Sequence, residues 1–114
     1  MPYCEVITTV KVPVETEMAL NHALAKVIEN IPGKTERWVM THIADEAKMA
    51  FAGTNDAPAA MITVKTFGTP ETQYFDVLTE AFCREIAPLL GVSPERMYIV
   101  YEPIAHWGWN SKNF

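Results

Sequence analysis

The chain has 114 residues and a mass of 12.8 kDa, the size of one ordinary domain. Hydrophobic residues make up 49% and charged residues 20%, a composition that can bury a core and excludes a disordered chain. Nine Lys and Arg against 14 Asp and Glu give a formal net charge of −5, so nucleic acid is not an expected partner, and no apolar run reaches the roughly 18 residues of a membrane span.

The first residues, Met1-Pro2-Tyr3-Cys4-Glu5, lack the basic segment of a secretory signal, and none is expected. Tyr3 to Val10 predicts a strand, because Val6 to Val10 are all β-branched. From about Glu15 to Ile31, apolar residues at Leu20, Leu24, Val27, Ile28 and Ile31 mark one face of a helix. Pro32-Gly33 closes it. Trp38 to Ala44 predicts a second strand and Lys48 to Ala52 a short strand or extended piece, followed by the turn Gly53-Thr54-Asn55-Asp56. Ala59 to Phe67 predicts a strand that is apolar on both faces at its centre. A second helix starts at Thr69-Pro70-Glu71. Its face is Phe75, Leu78, Phe82, Ile86 and Leu89, and Pro88 should kink or end its last turn. Ser93-Pro94-Glu95-Arg96 predicts a capped single turn. Met97 to Tyr101 predicts a strand stopped by Pro103, and the rest is a short polar and aromatic tail.

An internal repeat orders these elements. Gly33-Lys34-Thr35-Glu36-Arg37 and Gly91-Val92-Ser93-Pro94-Glu95-Arg96 each follow a helix and precede a strand. The chain therefore reads as one α/β (α+β) domain, 1–114, with pseudo-repeats about 1–57 and 58–114. Each is a βαβ unit with a right-handed crossover. Together they give a four-stranded mixed sheet with both helices on one face. So short a chain cannot cover the other face, and its apolar strands imply that an oligomer does.

The chemistry-bearing residues are few. Pro2 becomes a secondary amine if Met1 is removed; burial or a nearby cation lowers such an amine's pKa and makes it a base at neutral pH. With Met1 in place it is an amide and no base. Lys34, in the glycine turn, can present a cation to a carboxylate. Tyr98 suits either substrate orientation or the core. Trp38, Phe67, Trp107, Trp109 and Phe114 suit either an aromatic pocket or packing. His22, His42 and His106 lack metal-ligand spacing, Cys4 and Cys83 form no C-x-x-C, and there is no glycine-rich phosphate loop. Neither metal nor cofactor is expected.

The order and spacing of these segments resemble the macrophage migration inhibitory factor family of the tautomerase superfamily over the whole chain. The resemblance is carried by Met1-Pro2, Gly33-Lys34, Met49-Ala50-Phe51-Ala52-Gly53-Thr54 with Pro58, and Thr66-Phe67-Gly68. It continues through Val92-Ser93-Pro94-Glu95-Arg96-Met97-Tyr98-Ile99 to Gly108-Trp109-Asn110. It implies a homotrimer whose sheets wrap a central channel, with active sites at the subunit interfaces. It also implies a phenylpyruvate-like keto–enol tautomerase. Pro2 would shuttle a proton between carbon and oxygen of a 2-keto acid or its enol, and Lys34 would bind the carboxylate. Phe67 stands where the family usually has isoleucine, whose backbone N–H also meets that carboxylate. Tyr98 would come from the adjacent subunit. Val100 replaces an asparagine that touches the distal end of the substrate, and valine donates no hydrogen bond. Trp38, Trp109 and Phe114 match pocket aromatics, with Tyr3 beside the base.

The alternative is a cytokine-like homologue that binds a protein receptor and has a weak or vestigial tautomerase pocket; the replacements at Phe67 and Val100 motivate it. The family's thiol oxidoreductase motif is missing, since Ala59 and Ile62 occupy its cysteine positions. A dehalogenase or decarboxylase would need extra pocket arginines, and the chain has only Arg37, Arg84 and Arg96. The expected location is cytoplasmic, with the family's signal-free secretion as the other route.

Overall fold

In the computed structural model, which describes residues 1–114, the first strand sets the pattern for the sheet. Along β1 (Pro2–Thr8) burial alternates residue by residue, as a period of two requires when one face is covered. Pro2, Cys4, Val6 and Thr8 turn inward and Tyr3, Glu5 and Ile7 turn outward. Helix α1 (Val14–Ile28) follows, then β2 (Met40–Ala44) and β3 (Ala60–Phe67), whose Ala60, Ile62, Val64 and Thr66 are buried in turn. Helix α2 (Thr72–Leu90) leads to β4 (Met97–Ile104), and a small hairpin, β5 (Gly108–Trp109) with β6 (Lys112–Asn113), ends the chain.

The sheet order is β2-β1-β3-β4. β1 runs parallel to β2, β3 runs parallel to β4, and the two pairs meet antiparallel between β1 and β3. These are the two βαβ units of the repeat, side by side. One apolar cluster joins them. Leu20, Leu24 and Ile28 of α1 and Leu78, Phe82 and Ile86 of α2 close on Cys4, Val6, Ile62 and Val64. Both helices lie on this face, and none covers the other.

That other face is apolar at one end only. Ile7, Met61 and Tyr98 share a row with Ala44, whereas Tyr3, Lys65 and Glu102 share a row with Met40, and His42 and Glu5 lie between the two rows. The expectation of strands apolar on both faces therefore holds at one end of the sheet and fails at the other.

Several boundaries differ from the sequence reading. α1 ends at Ile28, because Asn30 and Ile31 tighten into i→i+3 bonds to Val27 and Ile28. Ile31 is still buried, beyond the helix. Glu36–Trp38 form a 3-10 turn, so β2 starts at Met40. No strand forms over Lys48 to Ala52. Ala52 (φ +53°) and Gly53 (φ +77°) are both left-handed, and the turn leaves only a bridge from Phe51 to Thr54.

Pro88 does not stop α2. It forfeits one hydrogen bond near the end, where left-handed Gly91 and a bond from Val92 N–H to the Ala87 carbonyl (3.1 Å) complete the cap. Leu89 consequently faces outward and Leu90 is buried in its place. β4 runs through Pro103 because it is an edge strand of the chain, where a missing N–H breaks no ladder.

Ser93 caps the second repeat turn as expected, accepting from the Glu95 N–H. Arg96 in that turn donates to the carbonyls of Pro58 (3.1 Å), Phe51 (3.4 Å), Thr54 (2.9 Å) and Ala57 (3.0 Å). It thereby satisfies a loop that has no strand partner.

Candidate active site

Pro2 begins β1 opposite Thr66 and is under 2% exposed. The ladder continues one step beyond it, where the Phe67 N–H donates to the Met1 carbonyl at 3.0 Å. At the next peptide of the same residue, the Lys34 ammonium donates to the Phe67 carbonyl at 3.2 Å. Gly33, at φ +81°, turns the chain after α1 and aims Lys34 at this point. The Met1 amine feels the result. Its pKa is lowered to about 6, first by burial and then by the charge of Lys34 and a hydrogen bond with it. A backbone donor and a cation thus converge one residue from Pro2. These are the groups that can hold a carboxylate, and here the Met1 carbonyl oxygen takes the backbone donor.

A cavity of about 590 Å³ opens beside Pro2. It gathers Pro2, Tyr3, Trp38 and Trp109 from the sequence reading. It also gathers Arg37, Val39, Met40 and Lys65, which that reading gave no role, and Trp107, which it named only among the aromatics. Strand alternation over Tyr3 and Lys65 was the signal that placed both on one face. Lys34 and Phe67 line an adjoining depression of about 400 Å³.

The aromatics link the two spaces. Trp38 meets Trp109 edge-on with ring centroids 5.1 Å apart, Trp109 stacks on Phe114 at 6.4 Å, and Phe114 tilts against Phe67 at 5.5 Å. The terminal hairpin, absent from the sequence reading, carries Trp109 into this arc.

Tyr98 and Val100 are not brought here. Tyr98 pairs with Met61 and Pro2 with Thr66, five positions apart on β3, roughly 17 Å at the rise of a strand. Tyr98 is 64% exposed at the edge of the chain and leans on Phe51, with ring centroids 5.0 Å apart. The Cys4 thiol is pushed up to about 12, mostly by burial and further by Glu5, so it is no nucleophile at neutral pH. No three His, Cys, Asp or Glu side chains group as metal ligands, and no helix is long and apolar enough to cross a membrane.

A family model described as Macrophage migration inhibitory factor (MIF) matches residues 1–114. The macrophage migration inhibitory factor of Mus musculus is 28% identical over 93 residues, covering 80% of each chain. Among solved structures, Leishmania major MIF2 superposes with a TM-score of 0.91 at 30% identity, over 100% of this chain and 97% of that one. A homologue from Prochlorococcus marinus gives 0.86 at 27% identity, over 98% of each.

Proposed function

This chain belongs to the macrophage migration inhibitory factor family, and on that premise we propose that it is a keto–enol tautomerase of phenylpyruvate-like 2-keto acids with Pro2 as its base. The observation that carries the proposal is the convergence of the Phe67 N–H and Lys34 one residue from buried Pro2. Once Met1 is removed, that backbone donor is freed and Pro2 becomes a secondary amine in the same surroundings. Burial and the Lys34 charge disfavour its protonated form, as they do for the Met1 amine.

The substrate carboxylate sits between Lys34 and the Phe67 N–H. Neutral Pro2 takes a proton from the carbon next to the keto group. The C–H electron pair becomes the enol double bond, and the carbonyl oxygen receives the pair it releases. Returning the proton to that oxygen gives the enol, and the reverse order gives the ketone. Nothing is consumed, so no cofactor enters. The reaction is an isomerisation, an intramolecular redox change between carbon and oxygen.

Completion of the site by Tyr98 and Val100 requires a neighbouring subunit, because neither reaches Pro2 within one chain. A homotrimer with its sites at the interfaces supplies them and covers the helix-free sheet face. The substrate is a small 2-keto acid or enol, and a cytoplasmic location with signal-free export remains part of the reading.

The test is ketonisation of enol-phenylpyruvate by protein shown by intact mass to lack Met1. Pro2→Gly, or retention of Met1, is expected to lower kcat/KM by about 10²- to 10⁴-fold with the oligomer unchanged. An undiminished rate would sink the proline mechanism. Saturable receptor binding by a protein without turnover would favour the cytokine-like alternative, which Phe67 and Val100 motivate.

A further inference from the structure

Lys34 lines the depression that adjoins the Pro2 cavity, and the cavity itself carries further cations. Arg37 and Lys65 both line it, and no carboxylate does, in a chain whose net charge is −5. Neither cation spends a side-chain hydrogen bond elsewhere. Arg37 forms no ion pair and no hydrogen bond through its side chain; its guanidinium carbon lies 5.0 Å from the Trp38 ring centroid. Lys65 reaches a carboxylate only at 3.8 Å, from Glu102, with both side chains nearly half exposed. A pair of that kind is worth little. Tyr3, below Lys65 at 6.0 Å, spends its hydroxyl on Glu5 and His42 and competes for neither cation. Trp38, Trp107 and Trp109 give the same cavity an aromatic wall. Val100, the residue expected at the distal end of the substrate, donates no hydrogen bond to a neutral group there.

We infer that this site takes a dianionic substrate: a 2-keto acid, or its enol, with a second anionic group at the far end of a flat body. The inference rests on the tautomerase reading for which end reacts. The first carboxylate lies at Lys34 and the Phe67 N–H. The flat body lies against Trp38 and Trp109, and the second anionic group meets Arg37 and Lys65. A guanidinium with its donors unspent holds a carboxylate by paired hydrogen bonds, and the indole walls exclude water and strengthen the contact.

Binding of unreactive probes tests this without relying on turnover. Calorimetry on protein lacking Met1 compares 4-carboxyphenylacetate with phenylacetate. The dianion is expected to bind about ten-fold more tightly at low salt, with the preference narrowing as ionic strength rises. Arg37→Gln and Lys65→Gln should each shrink the ratio, and the double variant should bring it close to one. Arg37→Glu should turn the preference toward the monoanion, and circular dichroism checks that each variant is folded. Equal affinities in the unaltered protein, or a dianion preference that survives the double variant, would overturn the inference. Failure of the tautomerase reading has a separate signature: undiminished turnover in Pro2→Gly.

Discussion

The two faces of the sheet are made from alternate residues of the same strands, yet they follow different rules. On the helix side, Cys4, Val6, Ile62 and Val64 meet α1 and α2 in a dry cluster. The buried polar side chains there are satisfied; Thr8, for one, donates to the Ala59 carbonyl at 3.0 Å. On the other side, one residue along, Tyr3 donates to Glu5 at 2.9 Å and His42 lies 3.1 Å from the same carboxylate oxygen. Polar side chains bonded to one another on a half-open surface add little to folding, but they fix where charge sits. The helix side therefore carries the stability, and the open side holds its charges at the surface. Pro2 joins the two. Its position in the alternation buries it, while its place at the strand end sets it beside the cavity.

This contrast can be broken by experiment. The largest effect on folding is expected from Phe82→Ala, which empties the centre of the dry face and should cost about 3–5 kcal/mol in denaturant unfolding. The matching truncation opposite, Ile7→Ala, should change chiefly how Tm depends on protein concentration if the proposed trimer covers that face.

Next comes Lys34→Gln. Removing the cation should raise the pKa of the Pro2 amine. The ascending limb of kcat/KM would then move to higher pH, beyond the weaker substrate binding that the change also brings. An unmoved limb would detach Lys34 from the base.

A chain retaining Met1 offers a subtler readout. Its amine titrates near 6 when folded against 8.0 when free, so the unfolded chain binds more protons between those values. Stability should rise with pH through that window and flatten above it. The smallest effect belongs to Glu5→Gln on the open face. It should change stability by at most about 1 kcal/mol and lower the Tyr3 pKa. Burial is the main cause of that raised pKa and the bond to Glu5 the next, so ultraviolet titration should show a partial return.

The fold was legible wherever periodicity or turn chemistry acts alone. Leu20, Leu24, Val27 and Ile28 gave α1 its face, and the paired Glu-Arg turns gave the two-unit topology. Misread elements were those decided by tertiary context. Ala52 and Gly53 turn together, so Lys48 to Ala52 forms no strand. Pro88 falls where a helix already needs few internal bonds, and Pro103 falls on an edge. Of the site, Pro2, Lys34 and the aromatics were legible as types and through family resemblance. Arg37 and Lys65 were not, because an uncommitted cation looks like any surface cation until the shape of the cavity shows what surrounds it. The hairpin was missed because its two-residue strands are too short to show a period.

The Glu-Arg pair occurs once in each half, and its two arginines have parted ways. Arg96 is spent on four carbonyls, so a change there undoes the loop and must be paid in folding. Arg37 lies over the Trp38 indole and holds no carbonyl. A substitution at position 37 thus leaves the architecture untouched, whereas the same change at position 96 strips four carbonyls of their donor.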